Sequence, residues 1–275
     1  MKKPEDFWAI DSEYDDLYRD MVSRGKEIAS KSKIAVVGLA RNCEENLRNS
    51  LLLLQELGAC FDWPKGFVFE NDSSDNTQRV LYRDKPAWLD VRCDALEMPY
   101  LTGFERDRTI ALARYRNICR DWVATNASDA DFVAVVDLDA DGGFSVDGVL
   151  NSLAWLESHD DAAGMGSFSL LRITEDGKDH FAHYDAWSAR LNWWSDRRNV
   201  IGHAWLHQLF PPVGGPPIRM NSCFGGLAVY KAAAYMAGRY VGGDCEHVPF
   251  HRSIAETTGL SMYLNPGSRF AAILQ

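Results

Sequence analysis

The sequence predicts an α/β protein, with a mainly parallel sheet flanked by helices in a single domain. Three observations predict this class. The chain has 275 residues, of which 46% are hydrophobic and 25% charged, which suits one sizeable globular core. Short apolar runs alternate with helically spaced apolar residues, the pattern of strands joined by helical crossovers. Finally, two of these runs end in clusters of carboxylates.

Composition narrows the class of function. The formal net charge of -10 argues against a nucleic-acid partner, because phosphate binding needs a basic face. No stretch approaches the ~20 apolar residues that cross a bilayer, and the charged start of the chain does not resemble a cleaved signal. The six cysteines are scattered without a CxxC pair, which favours reduced thiols in a cytoplasmic protein.

The first half of the chain alternates predicted strands and helices. An apolar stripe within residues 14–22 predicts a leading helix in an N-terminal extension, residues 1–32. The main domain would then occupy residues 33–275, with a nucleotide-binding half (33–145) and an acceptor-binding half (146–275). Strands are predicted at 33–40, 66–69, 89–92 and 132–136, and helices at 47–57, near 80 and at 108–124.

The second half is less regular. A helix is predicted at 146–156 and a strand at 165–171. Residues 222–230 look like a further strand that runs into a helix at 231–236. Because ligands bind at the carboxyl ends of parallel strands, the acidic strand ends of the first half mark the expected site.

Asp137, Asp139 and Asp141 follow the most apolar predicted strand at every second position. Alternate residues of an extended chain project to one side, so these carboxylates would repel one another unless a cation sat among them. Oxygen ligands suit Mg²⁺ or Mn²⁺. The alternative is a solvated acidic turn that ends a core strand.

Other charged residues are candidates for the nucleotide. Asp72 or Asp75, after the second strand, could accept hydrogen bonds from a base or ribose, although Asp75 could equally cap the following helix. Arg114, Arg116 and Asn117 lie near one another on the long helix, Arg108 is a further candidate near its start, and arginine binds phosphate well. Isolated helix arginines are more often solvated.

These segments together resemble the nucleotide-sugar glycosyltransferases of the GT-A (Rossmann-like) fold. The resemblance rests on the order of four segments over roughly residues 34–266: Ala40-Arg41-Asn42, Glu70 to Thr77, Ala113 to Asn117, and Asp137-Leu138-Asp139. A narrower resemblance is to the fungal capsule-associated mannosyltransferase group and its bacterial relatives. It is carried by Phe69 to Leu81, Leu112 to Asn117, His183-Tyr184-Asp185 and Ser222 to Gly226.

The resemblance implies a metal-dependent transferase that moves a sugar from a nucleoside-diphosphate sugar to a glycan or lipid-linked glycan. Mannosyl transfer in surface polysaccharide synthesis would follow from the narrower likeness. Asp139, with Asp141 beside it, is the expected ligand of Mn²⁺ or Mg²⁺, and the register of the metal ligands is open because of the extra Asp141. The expected substrate-binding residues are Arg41, Glu70, Asp72, Arg114, Arg116, Asn117 and Asp137.

The segment Gly242 to His251 supplies acidic residues and histidines where similar transferases carry a base and a ligand. Glu246 is the first candidate for a base that deprotonates the acceptor, and Asp244 the second. His251 is the first candidate to complete the metal site, with His247 behind it. A base at Glu246 favours inversion of the anomeric centre, whereas the resemblance to capsule mannosyltransferases favours retention.

Rival readings stay open. One is an inactive carbohydrate-binding or scaffolding relative, and a less favoured one is a sugar nucleotidyltransferase, since no glycine-rich phosphate loop follows the first strand. Trp193-Trp194, next to Arg197-Arg198, is a candidate contact for an acceptor or a membrane surface. At most peripheral contact with the inner face of a membrane is expected, and the oligomeric state is not predicted.

Overall fold

The computed structural model describes residues 1–103, 105–193 and 209–274. The strands in these ranges are β1 (Lys33–Ala40), β2 (Trp63–Asn71), β3 (Leu89–Asp94), β4 (Phe132–Asp137), β5 (Ala162–Glu175), β6 (Lys178–His183), β7 (Ile218–Met220), β8 (Leu227–Lys231) and β9 (Ser261–Leu274). The α-helices are α1 (Asp15–Ala29), α2 (Glu44–Gly58), α3 (Thr77–Asp84), α4 (Arg106–Asn126), α5 (Val146–Ser158), α6 (Ala232–Ala237) and α7 (His247–Thr258).

The described strands form one mixed sheet in the order β3-β2-β1-β4-β8-β5-β9-β7, with β6 paired to β5. The four strands of the first half are parallel, as predicted, so their carboxyl ends meet at one edge. Leu39 pairs with Asp137 across β1 and β4, and Ala40 pairs with Glu70 across β1 and β2. This register brings the acidic strand ends together.

Both faces of the parallel strands are buried. Val36 belongs to the core on one face with the leucines of α2, and the next residue, Val37, belongs to the core on the other face with α4. Successive strand residues point to opposite faces, so β1 must be apolar at nearly every position. That requirement explains why the continuous apolar runs of the sequence predicted these strands.

The second half departs from a parallel arrangement. β8 lies antiparallel between β4 and β5, and β9 runs parallel to β5. The expectation of a strand from residue 222 is wrong for its first five residues, because Gly225 and Gly226 have φ values of 69° and 80°. Such left-handed residues form a turn, and β8 begins only at Leu227.

The first helix packs tightly onto the domain. α1 lies against α5, and a Cβ added to Gly25 would lie 1.8 Å from the carbonyl oxygen of Leu150. Tyr18, Met21 and Val22 of the predicted apolar stripe are buried. Among the described helices, none is both long and apolar enough to cross a membrane.

Candidate functional site

A cavity of about 570 Å³ opens at the carboxyl ends of the parallel strands. At its wall, Ala40 ends β1 and is followed by Arg41, Asn71 ends β2, and Asp137 ends β4. Residues 98–103 and α4 form one side, and the first residue of α7 with the turn before it forms the other. This is the edge at which open α/β sheets bind ligands, so the topology and the cavity point to the same place.

Arg116 joins two carboxylates that line this cavity. Its Nη2 donates to Asp137 Oδ1 at 2.8 Å and its Nε donates to Glu246 Oε1 at 3.2 Å. The guanidinium carbon also lies 5.2 Å from the ring centre of Phe224. Arg116 is only 6% exposed, and both carboxylates already accept from its guanidinium. Its structural role is to link β4 to α7.

Asp139 lies two residues beyond β4, is exposed and lines the cavity. Asn46 Nδ2 donates to the backbone carbonyl of Asp139 at 2.8 Å and fixes the loop at this point. Desolvation by the surrounding protein, together with the nearby Asp137 carboxylate, raises the pKa of Asp139 to about 6. A carboxylate that is costly to ionise next to another one gains from a bound cation.

His247 lies on the opposite wall, stacked on Phe224 with ring centres 3.7 Å apart. Its Nε2 is 3.5 Å from Glu246 Oε1, and within the described residues neither ring nitrogen has a hydrogen-bond partner. Burial, the Arg116 charge and the His251 ring lower the pKa of His247 well below its usual value. His247 is therefore an uncharged imidazole beside the cavity, and its ring nitrogens could act as ligands of a metal ion.

His251, the first candidate for completing a metal site, does not line this cavity. Its Nδ1 lies 2.8 Å from Ser222 Oγ and its Nε2 lies 2.9 Å from Tyr230 Oη. Burial lowers its pKa to about 3. Both ring nitrogens are used inside the core, so the structure does not support a metal-ligand role for His251.

Asp141 and Asp244 also point away from the cavity. Asp141 Oδ1 pairs with Lys2 Nζ at 2.5 Å, because the chain turns after Asp139 and alternation along an extended strand no longer applies. Asp244 Oδ1 accepts from the Cys245 backbone N–H at 2.8 Å and lies 3.4 Å from Arg190 Nη2. Neither carboxylate is placed to act as metal ligand or base.

Glu70 near the end of β2 and Asp72 just after it support the site without lining the cavity. Glu70 is fully buried, and its Oε1 accepts from the Ser73 backbone N–H at 2.9 Å. Asp72 Oδ1 accepts from the backbone N–H groups of Leu96 and Glu97 at 2.8 and 3.0 Å. Desolvation raises the pKa of Asp72, but hydrogen bonds from Asn71 and from residues 96–98 outweigh it and lower the pKa.

These two acids are therefore not placed for direct contact with a substrate. Asn71, which sequence reasoning did not single out, lines the cavity in their stead. Asp75 Oδ1 accepts from the Thr77 backbone N–H at 2.9 Å at the start of α3, which is the capping alternative. Residues 70–77 are nearly all polar residues typical of turns, so the sequence alone does not indicate that Asn71 is the one that lines the cavity.

The remaining basic and amide candidates divide. Arg41 lines the cavity, with Nη2 donating to the Met98 carbonyl at 2.7 Å, and Arg108 lines it with Nη1 donating to the Gly103 carbonyl at 3.2 Å. Arg114 is exposed and lies outside the cavity. Asn117 Nδ2 donates to the Tyr240 carbonyl at 2.9 Å, which ties α4 to the loop before α7.

Asp185 is the acidic residue of the cavity that sequence reasoning left without a role. Its Oδ2 accepts from the Ser188 hydroxyl and from the Gly225 backbone N–H, the latter at 2.9 Å. Burial raises the pKa of Asp185 to about 6, and the charges of Asp137 and Glu246 add to the rise. The only sequence signal was its place in the His183-Tyr184-Asp185 segment.

Among the described residues no three histidine, cysteine or acidic side chains converge in a preformed metal cluster. A metal held here would therefore need further ligands, such as substrate phosphates, which is how Mg²⁺ is commonly bound. Of the predicted aromatic and basic contact, only Trp193 belongs to the described part of the chain. Trp194, Arg197 and Arg198 lie outside it.

No model of a known protein family and no curated protein matches the sequence. The fold does match solved structures of glucosyl-3-phosphoglycerate synthase from Mycobacterium tuberculosis. One of these is 16% identical and superposes with a TM-score of 0.52 over 92% of this chain and 76% of the synthase. The complex with Mn²⁺, uridine diphosphate and glucosyl-3-phosphoglycerate has 16% identity and a TM-score of 0.52, covering 91% and 74% of the two chains. The predicted GT-A fold is thereby confirmed.

Proposed function

We propose that this protein is a metal-dependent glycosyltransferase that moves a sugar from a nucleoside-diphosphate sugar to a hydroxyl of an acceptor. The observation that carries the proposal is the pairing of Asp137 and Asp139 at the end of β4 with Glu246 and His247 across one cavity. The synthase of the same fold has been solved with Mn²⁺ and uridine diphosphate, which supports a donor and metal of this kind.

Asp139 and His247 are the residues that would hold Mn²⁺ or Mg²⁺. The unpartnered nitrogens of His247 and the cavity-facing carboxylate of Asp139 form a donor set of the right chemistry. Mn²⁺ accepts such an imidazole more readily than Mg²⁺ does, so it is the first ion to test. When bound, the ion would neutralise charge that develops on the departing nucleoside diphosphate.

The chain itself supplies the other roles. Arg41 and Arg108 present guanidinium groups on the side of the cavity formed by residues 98–103, where a diphosphate would gain from them. Glu246 is the candidate base for the acceptor hydroxyl, and Arg116 holds its carboxylate in place. A base at this position supports inversion, and retention is the alternative. The anomeric proton of the product, measured by NMR, distinguishes the two.

The first test is a thermal-shift panel of UDP, GDP, CDP and dTDP, each with and without Mn²⁺. A ligand at about 100 times its Kd stabilises a protein by roughly 2.7 kcal/mol, which corresponds to several degrees in Tm. We expect a metal-dependent rise for one nucleotide. GDP would agree with a mannosyl donor, the finer specificity that the sequence resemblance suggests. No rise with any nucleotide would contradict the proposal.

Two matched variants test the metal site. Asp139→Asn should abolish the Mn²⁺-dependent part of the shift and lower sugar transfer by on the order of a hundredfold or more, since a Lewis acid contributes several kcal/mol. Asp141→Asn makes the same chemical change two residues further on, where the carboxylate pairs with Lys2 outside the cavity. It should leave both readouts near wild type. Equal losses in the two variants would count against Asp139 as the ligand.

A further inference from the structure

We propose that the acceptor subsite takes an uncharged sugar, such as the terminal residue of a glycoside, and excludes phosphorylated or carboxylated acceptors. This inference rests on the proposed function and names the acceptor class of the same cavity. It is carried by the way charge and aromatic surface are divided between the two walls. The acceptor wall is defined here as Tyr184, Asp185, Trp187, Phe224, Glu246 and His247.

The cations lie on the other wall. Of the described residues that line the cavity, the lysines and arginines are Arg41, Arg108 and Arg116. Arg41 and Arg108 are bonded to carbonyls of residues 98–103, at 2.7 Å to Met98 and 3.2 Å to Gly103. They therefore face the part of the cavity that would hold the donor nucleotide.

Arg116, the cation nearest the acceptor wall, has no charge to spare. It is shared between Asp137 and Glu246, at 2.8 and 3.2 Å, and its exposed fraction is 6%. Arg190 is close in sequence to this wall but outside the cavity. It bonds to the carbonyls of Trp187 and Ala189 and to Asp244.

The acceptor wall is accordingly acidic. Asp185 and Glu246 carry its carboxylates. The charge of a bound Mn²⁺ would be offset by Asp139 and by the donor diphosphate. An acceptor phosphate here would therefore meet like charges, and the described part of this wall offers no unpaired lysine or arginine as a counter-ion.

The same wall is well made for a neutral sugar. Tyr184 is 44% exposed and stacks on Phe270, with ring centres 6.4 Å apart. Together with the half-buried Trp187 it offers aromatic surface to the C–H faces of a pyranose, while carboxylates accept from hydroxyl groups. The synthase of the same fold has been solved with phosphoglyceric acid, so a phosphorylated acid belongs in the test as a contrasting ligand.

The test compares acceptor pairs that differ in a phosphate. The full chain, loaded with Mn²⁺ and the nucleoside diphosphate that raises its Tm, is examined by saturation-transfer NMR. The pairs are methyl α-mannoside against mannose 6-phosphate and methyl α-glucoside against glucose 6-phosphate, with 3-phosphoglycerate as a further anion. We expect at least one neutral glycoside to bind at least about tenfold more tightly than its phosphorylated partner.

Variants test whether the acceptor wall causes the discrimination between neutral and phosphorylated sugars. Asp185→Asn removes one negative charge but keeps an oxygen where Oδ2 accepts from Ser188 and Gly225. It should reduce the discrimination between the members of a pair. Trp187→Ala should weaken binding of the neutral glycoside, whereas Trp63→Ala, at the far end of β2, should not.

The outcomes separate this inference from the proposed function. Equal or tighter binding of the phosphorylated member overturns the inference, and so does a failure of every neutral glycoside to bind the nucleotide-loaded protein. In either case the metal-dependent nucleotide shift would still stand as support for a transferase. Loss of that shift itself would instead remove the proposed function.

Discussion

At the scale of single residues, Arg116 offsets the negative charge of two carboxylates that line the cavity, Asp137 and Glu246. Asp137, Glu246 and Arg116 come from β4, the start of α7 and the middle of α4, and their side chains meet in a largely buried cluster. A buried guanidinium is tolerated because two carboxylates accept from it, and each carboxylate is tolerated for the same reason. The cluster is thus stable only as a whole.

Replacing Arg116 by alanine should therefore destabilise the fold strongly. Removing one partner of a buried ion pair leaves uncompensated charge and typically costs about 3–5 kcal/mol. Urea unfolding of Arg116→Ala measures this. Arg114→Ala, two residues away on the exposed face of the same helix, is the control and should change the free energy of unfolding by less than about 0.5 kcal/mol. A small effect at Arg116 would mean that Asp137 and Glu246 are stable without it.

Single side chains also show what sequence reasoning about the site can and cannot give. Asp137 and Arg116 were predicted to lie at the site and line the cavity, because a strand end and a helix face fix their direction. Asp139 and Glu246, also predicted, line it from the segments next to β4 and α7. Asp141 was predicted with them and pairs elsewhere, since the chain turns beyond Asp139. Direction in a loop is set by tertiary contacts that spacing along the sequence does not encode.

The histidines give the same lesson in reverse. His247 and His251 are one helical turn apart, and only the partners contributed by Ser222 and Tyr230 decide which of them is used inside the core. Ser222 and Tyr230 lie 29 and 21 positions before His251 in the chain. The local sequence pattern therefore contains both histidines but does not indicate which of them is bonded inside the core.

At the scale of elements, the strands with continuous apolar runs were predictable and the later ones were not. β1 and β4 are buried on both faces, so nearly every residue is apolar and the signal is strong. β9 holds buried Asn265, Ser268 and Arg269 around Pro266, with a register shift against β5 between Ser167 and Phe168. Polar residues satisfied by tertiary hydrogen bonds hide such a strand from pattern analysis.

The turn that leads into β8 makes a sharp prediction about backbone geometry. Gly225 has a φ of 69°, and a Cβ added there would lie 1.9 Å from the Ser167 carbonyl oxygen. Gly177, in the turn between β5 and β6, has nearly the same φ of 70° but open space around it. The two glycines share a conformational requirement and differ in a steric one.

Alanine at each position separates these effects. Gly177→Ala should cost about 1 kcal/mol, the strain of a left-handed alanine. Gly225→Ala adds a clash with backbone that cannot rotate away, and we expect at least about 2 kcal/mol more. Chemical denaturation of both variants measures the difference. If the two losses are equal, β8 and β5 are free to separate at this point.

At the scale of the whole molecule, the N-terminal segment and the last strand are fastened to each other. Arg269 of β9 is 2% exposed, with Nη2 3.0 Å from Glu5 Oε1 and Nη1 donating to the Trp8 carbonyl. Glu5 also accepts from Ser145, the residue that caps α5. The leading segment therefore connects β9 to the end of the loop that follows β4 and contains Asp139 and Asp141.

This arrangement predicts that the N-terminal segment stabilises the complete domain. Glu5→Ala would leave the Arg269 charge buried with fewer partners, and we expect a loss of about 2–3 kcal/mol in the free energy of unfolding. Glu13→Ala, which removes an exposed carboxylate from the same leading region, should stay within about 0.5 kcal/mol of wild type. Thermal or urea unfolding of both variants provides the comparison. Similar stabilities for the two would show that the Trp8 carbonyl and the Tyr18 hydroxyl hold Arg269 without Glu5.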